Sequence, residues 1–165
     1  MVTIEKMTTR HLADVITLAV MDEQKPFVGT IDDILKNANA QVRPHVIFAD
    51  DTMVGFFLID TIYSKSFDFA RHSNVIGLRS FFISKEYQGK GYAKQAILAL
   101  PSYLSEAYPN HTSVMLTVNC QNPIAKQLYV KGGFEDTNDL YHGGSAGPQH
   151  IMVMAIESSI RAANL

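Results

Sequence analysis

Gln88-Gly89-Lys90-Gly91-Tyr92-Ala93 constrains this chain more than any other segment. It follows an apolar, aromatic run, Val75 to Ser84, that reads as a buried strand. It precedes a stretch that places Ala93, Ala96, Ile97, Leu100 and Leu104 on one helical face. Glycines at such a junction leave backbone N–H groups uncovered, and the helix N-terminus adds partial positive charge, so the turn can cradle a pyrophosphate. An ordinary strand-to-helix turn that only needs glycine would read the same way. Two familiar phosphate motifs fail here. A dinucleotide fingerprint needs a small residue where Lys94 stands, and a Walker loop needs Ser or Thr where Gly91 follows Gly89-Lys90.

The rest of the chain supplies the frame for that turn. Val2 to Glu5 alternates like a short strand. Thr8 or Thr9 can cap a helix bearing Leu12, Val15, Ile16, Ala19 and Val20. The pattern breaks around Pro26 and Gly29, and Thr30 with Asp33 opens a second short helix carrying Ile31, Ile34 and Leu35. Val46–Ala49 and Met53–Tyr63 read as a hairpin turning at Asp50-Asp51-Thr52, and the polar stretch Ser64 to Asn74 reads as a loop. The helix after the glycine turn is expected over about Gly91 to Ala107, with a kink or early end at Pro101. Ser113–Val118 is a further strand. Asn122-Pro123 has N-cap chemistry, Ile124, Ala125, Leu128 and Tyr129 form that helix's buried stripe, and Gly132-Gly133 stops it. Phe134–Tyr141 and Gln149–Glu157 close the chain around a Gly-rich loop, Gly143 to Pro148. The expected class is α+β: one domain over residues 1–165, with about seven strands, mostly antiparallel in a mixed sheet, and about four helices.

Composition excludes several functions. With 47% apolar and 18% charged residues the chain can fill a core, and 14 Lys plus Arg against 16 Asp plus Glu leave no basic face for nucleic acid. No apolar run approaches the roughly 18 residues needed to cross a bilayer, and no signal-peptide core opens the chain. A single cysteine, Cys120, cannot form an internal disulfide, so the expected setting is cytoplasmic. The six histidines show neither HxxxH nor HxxH spacing, so no metal site is expected. Methionines are spread out and read as core filling.

Phe81-Phe82-Ile83-Ser84-Lys85-Glu86-Tyr87-Gln88-Gly89-Lys90-Gly91-Tyr92-Ala93 resembles motif A of the GNAT superfamily of acetyl-CoA-dependent N-acetyltransferases, whose core pattern is met by Gln88, Gly91 and Ala93. Asn119 to Phe134 resembles the family's motif B, with its Asn, Ala, Leu-Tyr and Gly-Phe in register. The resemblance covers roughly residues 45 to 157. It implies that backbone groups of Phe81, Phe82 and Ile83 pair with the pantetheine arm of acetyl-CoA. It further implies that backbone N–H groups of Gln88, Gly89, Lys90, Gly91, Tyr92, Ala93 and Lys94 hold the pyrophosphate. Asn122 would hydrogen-bond the pantetheine and Tyr129 would aim its hydroxyl at the sulfur; the plainer readings are a helix cap and a core aromatic.

The implied reaction is direct attack of a primary amine, of a small molecule, on the acetyl carbonyl in a ternary complex, with a backbone N–H near Phe82 stabilising the oxyanion. Coenzyme A leaves as a thiolate, for which a weak acid such as Tyr129 suffices. Cys120 lies near in sequence without a paired His and reads as a small buried residue. The amine must lose a proton, and Glu86, His142, His150 or a water relay are the candidate bases. Motif A is nearest to that of polyamine acetyltransferases, which carry acidic residues before the Phe-Phe pair. Arg79 and Ser80 stand there instead, which argues against a polyamine acceptor. Asp22-Glu23 and Asp32-Asp33 bracket the loop between the first helices and could attract a cationic amine, or be solvated faces. Two other functions fit the same motifs: a non-catalytic acyl-CoA sensor, and an acetyltransferase for protein N-termini or lysines. Exposed closing strands could pair two subunits in a homodimer.

Overall fold

The computed structural model describes residues 1–71 and 74–156. Its strands are β1 (Val2–Lys6), β2 (Val42–Ala49), β3 (Thr52–Asp60), β4 (Val75–Ile83), β5 (Ser113–Asn119), β6 (Glu135–Tyr141) and β7 (Gln149–Ala155). They form one seven-stranded sheet in the order β1-β2-β3-β4-β5-β7-β6. Every neighbouring pair is antiparallel except β4 and β5. The expected α+β mixed sheet is the observed one.

Both faces of the sheet are covered, which explains why β3 is an apolar run rather than an alternation. Phe57 and Ile59 point to the face packed by α5 (Tyr92–Ala107), where Ala96, Ile97, Leu100 and Leu104 are buried. The helix α6 (Pro123–Lys131) adds Ala125, Leu128 and Tyr129 to that face. Phe56 and Leu58 point to the opposite face, under Val15, Leu18, Ile31 and Ile34 from α1 (Leu12–Val15), its following turn and α3 (Ile31–Lys36). Side chains such as Phe56 and Phe57, fully buried, each contribute about 1.5–3 kcal/mol by leaving water.

Several local expectations give way to the structure. The first helix lasts four residues after a 3-10 turn at Thr9–His11; Leu12 and Ile16 remain exposed, and Leu18 is the buried residue that periodicity passed over. A helical turn, α2 (Lys25–Val28), starts at Pro26's segment where only a break was expected, because proline suits a first helical turn. The expected loop after β3 holds α4 (Tyr63–Ser66) and a 3-10 turn at Asp68–Ala70, while its residues 72 and 73 lie outside the described ones. Tyr63 and Ala70 from this segment pack with Val75, Met115 and Ile151, so apolar contact fixes what polarity suggested was free. The helix α5 does not end early: it runs past Pro101 to Ala107. Glu157, assigned to the last strand, falls outside the described residues.

Candidate active site

β4 and β5 pair only through Val75–Ser113, Ile76–Val114 and Gly77–Met115, then part. Each is held on its other side, β4 by β3 and β5 by β7, so the two cannot close the gap. In the same stretch β4 carries a bulge. Phe56 faces Phe82 and Leu58 faces Arg79, so Ser80 and Phe81 together oppose Phe57, with Ser80 in the left-handed region at φ 55°. Backbone of Ser80 and Phe81 is thereby released from one ladder where the other has already ended. An extended ligand can use such an edge as an added strand.

A cleft of about 400 Å³ fills the gap and passes through the sheet. On the α5–α6 face it is lined by Leu78, Phe81, Leu116 and Val118, and by Asn122, Ala125 and Tyr129 of α6. On the other face it is bordered by Pro26 and Phe27 of α2, Tyr63 and Phe67 of the α4 segment, and Arg79. Tyr141 and residues 144–146 of the Gly-rich loop close that mouth.

The glycine turn sits beyond the end of β4. Gly91 is the N-cap of α5 at φ 82°, and Gly89 has φ 80°, conformations that L side chains rarely adopt. A Cβ at Gly89 would meet nothing within 4 Å. Among the described residues no acceptor meets the backbone N–H groups of residues 89–94. The turn is therefore open, and rich in donors at a helix N-terminus. Gln88 turns inward instead: its Nε2 donates to the Ile83 carbonyl at 2.8 Å and to Gln24 at 3.0 Å, tying the turn to β4 and to the segment before α2.

Asn122 caps α6, its Oδ1 accepting from the Ala125 N–H at 3.3 Å, and it also lines the cleft. Tyr129 packs edge-on against Phe81 and Phe134, and burial alone pushes its hydroxyl well above the ordinary phenol value. Cys120 is half-buried, donates its N–H to the Pro148 carbonyl, and is not among the lining residues.

None of Glu86, His142 and His150 lines the cleft. Glu86 and His142 are exposed, and His150 faces Asp136, 4.0 Å away, beside its ion pair with Lys126. The acidic pairs stay outside too. Asp22 pairs with Lys25, and Asp33 accepts from the Thr30 hydroxyl at the start of α3.

The Acetyltransferase (GNAT) family pattern matches residues 11–134. The chain belongs to that family. It is 34% identical over 128 residues to the uncharacterized N-acetyltransferase YbbJ of Bacillus subtilis (strain 168), covering 76% of this chain and 80% of that one. It is 26% identical over 145 residues to the spermine/spermidine N(1)-acetyltransferase of the same organism, covering 87% and 93%. Among solved structures it shares its fold with AAC(6')-Ib in complex with parmomycin and acetyl-CoA, at a TM-score of 0.73, 20% identity and 93% coverage of both chains. Spermidine N-acetyltransferase from Vibrio cholerae, in complex with CoA and spermine, superposes at a TM-score of 0.69 with 18% identity over 94% and 95% of the chains.

As a GNAT acetyltransferase, this chain is an acyltransferase with acetyl-CoA as cosubstrate, and the open turn and parted strands fit that molecule's phosphates and extended arm. Sequence reasoning found the glycine turn and α6. It missed the second mouth, where Asp60 ends β3 and holds Arg79 at 3.2 Å, and the Tyr63 and Phe67 rings pack tilted with centroids 4.6 Å apart. Two signals were available: one carboxylate closing an apolar strand, and three aromatics, Tyr63, Phe67 and Phe69, within a stretch otherwise polar.

Proposed function

We propose that this acetyltransferase acetylates a primary amine of a small molecule, with acetyl-CoA entering from the α5–α6 face and the amine from the α2–α4 face. The observation that carries this reading is the cleft itself, which runs through the sheet from α6 and the parted strands to a separate aromatic mouth, with the open, donor-rich turn lying beyond the end of β4. Acetyl-CoA supplies an activated acyl group on a thiol leaving group. The β4 edge that has parted from β5, Ser80 to Ile83, receives its extended arm, and an N–H from the bulge at Ser80 and Phe81 donates to the carbonyl oxygen as negative charge grows there. N–H groups of residues 88–94 face its phosphates, and Asn122 donates from Nδ2 to the arm while Oδ1 caps α6.

Tyr129 has a narrower role than an acid. A thiol has a pKa of about 8.5 and an unperturbed phenol about 10. Burial widens that difference, so transfer of the phenolic proton to the thiolate runs uphill. The hydroxyl instead donates a hydrogen bond to the leaving sulfur, and solvent returns the proton. With no carboxylate or imidazole among the described lining residues, the amine proton leaves through water.

α2 and the Gly143–Pro148 loop flank the mouth, which suits a small amine better than a protein segment. No described helix is long and apolar enough to cross a membrane, and a single cysteine is consistent with a cytoplasmic setting. A homodimer through β6 finds little support, because that edge carries Glu135, Asp136 and Asp139 and is interrupted by a bulge. Near-neutral net charge gives no basis for a nucleic-acid partner. Thiol release from acetyl-CoA, followed across polyamines, amino acids, aminoglycosides and peptides, tests the reading. Release that depends on one small-amine class supports it; binding of acetyl-CoA without release from any amine makes the chain a sensor.

A further inference from the structure

The acceptor mouth has an unusual charge pattern for an enzyme whose relatives include a spermine acetyltransferase. Among the described residues lining the cleft, Arg79 is the one charged side chain, and no Asp or Glu joins it. Asp60, 1% exposed, fixes this arginine from behind: its Oδ2 accepts from Arg79 Nη1 at 3.2 Å while its Oδ1 accepts from the Ile62 N–H at 3.0 Å. The Arg79 side chain remains 43% exposed, and among the described residues its Nε and Nη2 donors meet no acceptor. A guanidinium anchored at one nitrogen, with two donors left over, is oriented to grip a planar anion through two parallel hydrogen bonds.

The walls around it are aromatic. Tyr63, Phe67 and Tyr141 form a chain of rings, with centroids 4.6 Å apart for Tyr63–Phe67 and 5.3 Å for Phe67–Tyr141, and Phe27 of α2 also lines the cleft. This arrangement is built in, because a Cβ at Gly77 would overlap the Tyr63 ring. Arg79 itself adjoins the Ser80–Phe81 bulge where the transfer is placed. A polyamine would bring its distal ammonium up to a fixed guanidinium with no carboxylate to receive it.

We infer that the acceptor is an aminocarboxylate: an amine at the reacting end, an apolar or aromatic body, and a distal carboxylate held by Arg79. The inference rests on the proposed acetyltransferase activity. In the transfer the amine nitrogen bonds to the acetyl carbon, the carbon–sulfur bond breaks, the sulfur leaves with its electron pair, and water removes the amine proton.

The test is a matched trio of benzylic amines that differ at the para position: para-(aminomethyl)benzoate, benzylamine and para-xylylenediamine, the last with a second aminomethyl group where the first has its carboxylate. The expected order of kcat/KM is carboxylate, then neutral, then diamine, with about tenfold or more between the first two, the size of a charged hydrogen bond. Arg79→Gln should shrink the carboxylate-to-neutral ratio toward one. Because that variant leaves a buried carboxylate unpaired, the Asp60→Asn/Arg79→Gln double variant is measured beside it, and should show the same collapse of the ratio. A diamine preference, or a ratio unchanged in folded variants, overturns the inference and leaves the acetyltransferase reading standing. Turnover of polyamines but none of the trio does the same. Absence of thiol release with every amine overturns that reading instead.

Discussion

The two mouths of the cleft are made of different material. The α5–α6 face, where acetyl-CoA is proposed to enter, is largely backbone: N–H groups of an open turn, a released strand edge, and the first turn of α6. The α2–α4 face is built of side chains: one arginine, held from behind by a buried aspartate, and several aromatics. Backbone donors recognise what every acetyl-CoA presents, phosphates and a pantetheine amide chain, and they are insensitive to most substitutions. Side chains recognise one acceptor and change with a single residue. The same domain can therefore keep its cosubstrate while its acceptor differs from those of spermine and aminoglycoside acetyltransferases.

The sharpest way to break this contrast is Gly91→Glu. It forces a side chain onto a backbone at φ 82° and puts a negative charge beside the phosphates. Acetyl-CoA binding measured by calorimetry should fall beyond detection while the melting temperature changes little. Retained affinity would remove the turn from the site.

Tyr129→Phe comes next, because Tyr129 is a side chain given a chemical role on the otherwise largely backbone-built α5–α6 face. The ring and its contacts with Phe81 and Phe134 remain, and one hydroxyl is lost. As a hydrogen-bond donor rather than a full acid it should cost about ten- to a hundredfold in kcat, with acetyl-CoA affinity preserved. A kcat equal to the wild type would leave Tyr129 as packing alone.

The contrast also explains what could be read in the sequence. The turn at Gly89–Gly91 and the Asn122-Pro123 cap are local: their residues are neighbours in the chain and each conformation needs a particular residue type. The acceptor mouth is assembled by pairs far apart. Asp60 meets Arg79, and Phe67 meets Tyr141, only after β3, β4 and β6 have found their places. Arg79 stands in the sequence where polyamine acetyltransferases carry acidic residues, but nothing local marks its partner, and the bulge at Ser80 leaves no residue-type signature. Short helices were lost for a related reason. α1, α2 and α4 last four residues each, too few for a periodicity to show, and packing rather than propensity holds them.

A third prediction separates the two ends of α5. Its N-terminus is open, whereas its far end buries His45 completely, stacked on Phe57 at 4.9 Å. His45 Nδ1–H donates to the Arg43 carbonyl at 3.0 Å, and in the neutral ring Nε2 accepts from the Tyr108 hydroxyl at 3.2 Å. Burial first, then the charges of Lys6 and Arg43, hold its pKa down at about 4 against 6.5 when exposed. Below pH 6.5 the unfolded chain gains a proton that the folded one refuses until about pH 4, so stability falls across that window. The wild type should lose about 3 kcal/mol more than His45→Gln between pH 7 and pH 4 in denaturant unfolding. Parallel pH profiles would mean that the folded ring titrates as an exposed one does.

The smallest effect belongs to Cys120→Ala, whose side chain lines neither mouth. Its kcat and both KM values should stay within about twofold of the wild type, as for a surface-side substitution away from the chemistry.

Direct transfer between two ligands held at once from opposite faces is the central claim, and steady-state rates on a two-substrate grid test it most directly. Initial velocities are measured with acetyl-CoA varied at several fixed concentrations of a productive amine. Intersecting double-reciprocal lines, with no acetylated protein detected by mass spectrometry in the absence of amine, are the predicted result. Parallel lines, with a stable acetyl-enzyme on Cys120 or another side chain, would contradict it.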